Sequence, residues 1–332
     1  MKRTMIATGL LVALMGLATP SQAEADADRL ACGNSVRKDS VDACGRLIGR
    51  ANLSKTERFM ALFNRGWAHR RAGANELALA DFNTAETVDR EFARLYLSRA
   101  QVKRETGDIA GAGTDLSRYI ALMPNDWSGY HQRALNERSR GRHANALDDI
   151  AKALKLNPFA KDLPPLQVLT LVDLNRLATA KTVADRILAG RSSDAGTRYA
   201  RAVVLVRQRD LAAADADLDA ALAAEPLFSA AHALKGEIAE ARGDQQAARA
   251  AYTMASRTGG PSLEESAAHK RAEARIASLD AGPPVKVAAK TPVRPAVVAK
   301  AETSAATKIS AKGDCRRYIP GAAITIAVPC GQ

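Results

Sequence analysis

Aromatic residues are scarce in this 332-residue chain, with six Phe, six Tyr and two Trp. Stacking platforms for unpaired bases are built from such rings, so a nucleic-acid partner is not expected. Histidine is as sparse. His69, His131, His143, His232 and His269 fall in no HExxH or CxxC arrangement, and no two share a helix face at metal-ligand spacing. The chain lacks a GxSxG elbow, a phosphate-cradling glycine loop and a dinucleotide fingerprint. No metal, cofactor or enzymatic activity is expected. Beyond the first residues, no stretch is long and apolar enough to cross a bilayer, so no transmembrane span is expected in the mature chain.

The beginning reads as a secretory signal. Lys2 and Arg3 give the charged start, Met5 to Ala18 the apolar run, and Ser21-Gln22-Ala23 the small-residue cleavage site. Cleavage after Ala23 would start the mature chain at Glu24, and a periplasmic or secreted location is expected. The four cysteines form two local pairs, Cys32 with Cys44 and Cys315 with Cys330, and an even number suits an oxidising compartment. Of the net charge of +12, much lies near the end of the chain. Lys286, Lys290, Arg294, Lys300, Lys308 and Lys312 stand against Glu302 and Asp314, and Arg316 and Arg317 follow. This segment is either a solvated linker or a loose ligand for an anionic envelope polymer.

The dominant feature is a repeat. In rows of 34 residues beginning at Phe59, Ala93, Trp127, Lys161, Ala195 and Ser229, equivalent residue types align. Column 8 holds Gly66, Ala100, Ala134, Val168, Ala202 and Gly236. Column 15 holds Gly73, Gly107, Gly141, Asn175, Arg209 and Gly243, and column 20 is alanine in every row. Column 24 holds Phe82, Leu116, Ile150, Ala184, Leu218 and Tyr252, and column 32 includes Pro124, Pro158 and Pro226. This period and pattern resemble the tetratricopeptide repeat, a helix–turn–helix unit. The resemblance implies an all-α right-handed superhelical solenoid whose repeats are stable only when stacked.

Small residues at columns 8 and 20 let the two helices of a repeat approach closely. Glycine at column 15 ends the first helix at positive φ; Asn175 tolerates that conformation and Arg209 does so poorly. Proline at column 32 closes the second helix. The fourth row is atypical, with Pro164 and Pro165 near the start of its first helix. Either that helix is shortened, or the array kinks there.

The same register, carried back one row to Ala25, places Cys32 at column 8 and Cys44 at column 20. A Cys32–Cys44 disulfide stapling a degenerate repeat over residues 24–58 is expected. Residues 59–260 then hold six repeats. Residues 261–280 read as a capping helix, with Ser262 and Glu265 as its capping box. Leu263, Ala267, Ala274 and Ile276 are expected to face the last repeat, and Lys270, Arg271, Glu273 and Arg275 to face water. Residues 281–313 read as a basic Ala/Pro/Lys linker. Residues 314–332 read as a β-hairpin: Pro320-Gly321 marks a turn, Ile324, Ile326 and Val328 alternate, and a Cys315–Cys330 disulfide closes the ends. It is either a docking tag or an inert end.

In arrays that this chain resembles, columns 2, 5, 9, 12 and 13 of each first helix line a concave groove. Carried over, they nominate Phe63, Trp67, Arg70, Arg71, Arg94, Gln101, Arg104, His131 and Arg138, with Asn64 at column 6 as a partial match to a carboxylate clamp. Met60, Leu97, Glu105, Ser128, Leu135 and Ser139 complete that half, and Leu169, Val172, Tyr199, Val203, Val206 and Arg207 give an apolar second half. His69 at column 11 is expected to be a core packing residue. Arginine beside Trp and Phe suits an extended acidic peptide or a protein C-terminus. The expected function is an exported protein–protein interaction scaffold. The alternatives are an envelope attachment factor acting through the basic tail, and a non-catalytic subunit of an envelope enzyme. Self-association through the ends of the array stays open.

Overall fold

A computed structural model describes residues 22–34, 36–258, 263–280, 315–319 and 324–328. The signal segment, Ser262, the linker cations, the Pro320-Gly321 turn and Cys330 lie outside the described residues, and with them the Cys315–Cys330 pairing. Among the described residues the fold is all-α apart from one pair of strands. In chain order α1 spans Gln22–Gly33 and α2 Ser40–Ile48, joined by a disulfide between Cys32 and Cys44. Six hairpins follow: α3 Lys55–Arg71 with α4 Asn75–Val88, α5 Ala93–Glu105 with α6 Ile109–Leu122, α7 Trp127–Ser139 with α8 His143–Leu156, α9 Leu163–Asp173 with α10 Leu177–Gly190, α11 Ala195–Arg207 with α12 Leu211–Ala224, and α13 Ser229–Ala241 with α14 Gln245–Arg257. A last helix, α15, runs Leu263–Asp280. Strand β1, Cys315–Ile319, pairs antiparallel with β2, Ile324–Val328, with Cys315 opposite Val328 and Ile319 opposite Ile324. The chain divides into two compact lobes, one ending at Asn125 and the other beginning at Asp126.

Column 15 sets the turn inside each hairpin. All six of its residues have positive φ, from 56° at Asn175 to 86° at Gly107, with Arg209 at 67°. Glycine adopts this region at no steric cost, whereas a side-chain-bearing residue is strained there. Three of the six helices that follow are started by aspartate. Asp108, Asp210 and Asp244 each accept a backbone N–H from the first turn, which satisfies an otherwise orphaned donor.

Columns 8 and 24 meet between the two helices of a hairpin and share one volume. Where column 8 is glycine, column 24 is aromatic: an added Cβ on Gly66 would lie 2.7 Å from the Phe82 ring, and one on Gly236 would lie 2.6 Å from the Tyr252 ring. Alanine at column 8 goes with Leu116, Ile150 or Leu218, and Val168 goes with Ala184. Phe82, Leu116, Ile150, Ala184, Leu218 and Tyr252 are all essentially fully buried. Interiors pack to crystal-like density, so one partner's gain requires the other's loss.

A second periodic contact ties the helices by charge. Arg65 reaches Asp81, Arg99 reaches Asp115, Arg133 reaches Asp149 and Arg201 reaches Asp217, each through two N–H···O bonds of 2.6–2.9 Å. These are columns 7 and 23. The aspartates are buried, so each needs a partner, and the planar guanidinium fork supplies two donors. Arg99 and Arg201 also reach back to the preceding hairpin, to Glu86 at 2.5 Å and Asp185 at 2.7 Å.

The fourth hairpin takes the shortened form. Its first helix, α9, carries Pro164 and Pro165 in its opening turn and has 11 residues where α7 and α11 have 13. The last helix turns a different face inward from the one expected. Ala268 and Ala272 are fully buried, Ile276 and Leu279 pack beside them, and Ala267 and Ala274 are exposed. Steps of four and three residues make one helical stripe of the buried set. Arg275 is also not simply solvated: it binds Glu240 through two N–H···O bonds of 3.1 and 2.5 Å.

Candidate functional site

The first lobe presents the first-helix face of α3 and α5. Helix α3 is started by a reciprocal cap, with Ser54 Oγ accepting from Glu57 N while the Glu57 carboxylate accepts from Ser54 N. That start fixes the phase of Met60, Asn64, Trp67, Arg70 and Arg71 along the helix. Phe63, nominated as a contact, does not reach the surface. Its ring is 6% exposed and lies in an aromatic cluster, 6.0 Å from Phe59, 5.8 Å from Phe82 and 5.4 Å from Phe92. It supports the face from below, because large apolar rings gain more from the core than from water.

Trp67 is half-buried against the same cluster, and the Arg70 guanidinium lies 4.9 Å from its ring centroid. Arg70 is also engaged by Glu105, accepting bonds of 3.2, 3.1 and 2.5 Å from Nε and Nη2. Its charge is thus already balanced within the protein. Arg104 is half-buried, and burial pushes its guanidinium below the ordinary arginine value against the opposing effect of Glu105. Arg71, Arg94 and Gln101 are exposed and Asn64 is half-buried. This face therefore offers two exposed guanidinium groups, two amides and an aromatic edge, a set able to bind carboxylates and apolar side chains.

In the second lobe, α7 carries the remaining nominated residues. His131 stacks on Trp127 with centroids 5.8 Å apart and planes 19° apart. Arg138 donates from Nε to Asp173 at 2.6 Å, and the His143 Nδ1 lies 3.8 Å from the same carboxylate. His69, in the first lobe, lies 3.8 Å from Asp81, inside the hairpin that Arg65 clamps.

The apolar second half of the expected groove is a correction. Leu169, Val172, Val203 and Val206 are buried in the largest core cluster, where α9 packs directly against α11. Tyr199 is half-buried and tilted against Phe228 at 5.2 Å. Apolar side chains at these columns close first helix upon first helix and leave no open face. Glu105 and Asp173, the internal partners of Arg70 and Arg138, were not nominated as such. Their signal is an arginine at column 12 followed by an acid at column 13 of the next row. Among the described residues there is no cluster of His, Cys, Asp and Glu that would hold a metal ion, and no helix long and apolar enough to cross a membrane.

No family model matches the chain. Tetratricopeptide repeat protein 36 of Bos taurus is 33% identical over 153 residues, which is 45% of this chain and 79% of that protein. The chain belongs to the tetratricopeptide repeat family. Tetratricopeptide repeat protein 36 of Homo sapiens is 34% identical over 113 residues, and there the chain spans 60% of the relative. A tetratricopeptide repeat protein of known structure from Parabacteroides merdae is 16% identical, with a TM-score of 0.64 over 76% of this chain and 99% of that one. At that identity the likeness is one of fold. The tetratricopeptide hairpins account for columns 8, 15, 20 and 24.

Proposed function

We propose that this chain is an exported protein-interaction scaffold, without catalytic chemistry of its own, that holds an extended acidic segment of a partner protein on the α3–α5 face. The observation that carries the reading is a contrast. Columns 2, 9, 12 and 13 are exposed or half-buried and arginine-rich in α3 and α5, whereas columns 9 and 12 are buried in α9 and α11. Arg71 and Arg94 are the primary charge contacts, Trp67 and Met60 the apolar ones, and Gln101 and Asn64 the amide donors to backbone carbonyls. Arg70 acts after exchange, since an incoming carboxylate can take the place of Glu105.

The export part of the reading rests on the N-terminal pattern. Cleavage after Ala23 would remove only the first two residues of α1, Gln22 and Ala23, and leave Cys32 and Cys44 in place. The test is fluorescence anisotropy with a labelled Glu/Asp-rich decapeptide and the full chain. Arg71→Glu with Arg94→Glu should abolish binding while circular dichroism stays unchanged. Equal affinity of the two chains would remove the α3–α5 face from the account.

A further inference from the structure

Strand β1 lies against α13, the first helix of the last hairpin, within the second lobe. Helix α13 differs in charge from the other first helices. It carries Glu237 at column 9 and Glu240 at column 12, and none of the other five first helices has an acid at either column. In α9 and α11 the same columns hold Leu169, Val172, Val203 and Val206. Residues three apart share a helix face, so the two carboxylates form one acidic spot.

Both carboxylates are buried, Glu237 at 6% exposure and Glu240 at 7%. A buried carboxylate is costly unless a cation meets it. Glu240 is met by Arg275 of α15 and by the Tyr252 hydroxyl. Burial first, then the charges of Glu240 and Glu237, push that hydroxyl above the ordinary tyrosine range, so both acids bear on the same place. The strand against this helix reads Cys315-Arg316-Arg317-Tyr318-Ile319, with two consecutive cations and no acid. A two-stranded ribbon is marginal in water by itself and gains from a surface to lie on. Residues 281–314 connect α15 to β1. Fully extended, such a length of chain spans on the order of 100 Å, so the hairpin can reach its own α13.

We propose that the acidic spot on α13 is a binding site for a basic extended segment, and that the chain's own β1 fills it as an internal ligand, with the charge of Arg316 and Arg317 set against Glu237. The site has the opposite charge preference to the α3–α5 face and does not depend on that reading. A basic segment of a partner protein gains this site only by displacing the hairpin. Its apparent affinity is therefore lowered by the fraction of chains in which the hairpin is seated.

The experiment is hydrogen–deuterium exchange of the full chain, read by mass spectrometry. The backbone amides of residues 315–319 should be protected in the parent chain. Arg316→Glu with Arg317→Glu should speed their exchange by about tenfold or more, because like charges then face each other. Glu237→Gln should act in the same direction while α14 and α15 keep their protection, which separates loss of docking from loss of the last hairpin. Glu237→Lys combined with Arg316→Glu and Arg317→Glu should restore protection. An about tenfold dilution should change nothing, since docking within one chain does not depend on concentration. Unprotected β1 amides in the parent chain would overturn the proposal. So would protection that survives reversal of the arginines, or protection that falls on dilution, which would seat the hairpin on a second copy.

Discussion

Arg70 and Glu105 lie 35 residues apart and are joined side chain to side chain across two successive hairpins, with Nη2 2.5 Å from Oε1. The same one-repeat-plus-one step joins Arg138 to Asp173 at 2.6 Å. It recurs with the charges exchanged at the end of the array, where Glu240 binds Arg275 at 2.5 Å and also accepts from the Tyr252 hydroxyl at 2.9 Å. On the proposed peptide-binding face, Arg70 at column 12 would be a place where an internal and an external carboxylate compete.

That competition is measurable. Glu105→Gln leaves Arg70 without its charged partner but keeps a similar shape. The pair is partly exposed, so its loss should cost at most about 1 kcal/mol of stability. Affinity for the Glu/Asp-rich decapeptide should rise about two- to fivefold, since the ligand no longer displaces an internal carboxylate. An unchanged or lower affinity would place Arg70 outside the peptide site.

The shared volume of columns 8 and 24 predicts a non-additive pair. Gly66→Ala forces a Cβ to within 2.7 Å of the Phe82 ring and should destabilise by about 1–3 kcal/mol. Phe82→Leu alone leaves a cavity and should also destabilise. Together they recreate the Ala100–Leu116 arrangement of the next repeat, so the double variant should be more stable than the sum by about 1 kcal/mol or more. Urea unfolding of the four chains gives this coupling, and simple additivity would mean that the two sites do not share space.

Columns 8, 15, 20 and 24 were legible in the sequence because each asks for a residue type: small, left-handed or large. The Arg65–Asp81 series was equally periodic but spans 16 residues, a spacing that no single helix or strand rule brings together. The burial of Leu169, Val172, Val203 and Val206 was not legible either. Whether an apolar column faces a ligand or the neighbouring first helix depends on how closely α9 and α11 approach. The inward face of α15 was misread for a related reason. Alanine is common along that helix, at Ala267, Ala268, Ala272 and Ala274, and so small a side chain gives little sense of direction. The column alone points Phe63 at a ligand, while the aromatic residues around it come from its own helix (Phe59), from α4 (Phe82) and from the residue that caps α5 (Phe92).

Arg209 holds a left-handed backbone, φ 67°, where four of the six repeats use glycine. Its side chain is exposed, so little packing offsets the strain. Arg209→Gly should raise stability by about 1 kcal/mol, the steric relief being larger than the added freedom of the unfolded chain. Asn175→Gly should give less, because asparagine tolerates this region. A loss of stability on Arg209→Gly, read from the urea midpoint, would show that its side chain makes a contact that outweighs the strain.

Glu86 links stability to pH. Burial alone would raise its pKa, but the Arg99 guanidinium at 2.5 Å, aided by the Tyr96 hydroxyl, outweighs burial and holds the carboxyl below the ordinary glutamate range. A group depressed in the folded state contributes stability that is fully present above its unfolded value, about 4.3, and is lost as the pH falls through the folded value. Glu86→Gln should therefore lower the urea midpoint at pH 7, and the gap from the parent chain should narrow below about pH 4. A gap that stays constant from pH 7 to pH 3 would mean that Glu86 is not held by charge, and that the reach of Arg99 to the preceding hairpin is a packing contact alone.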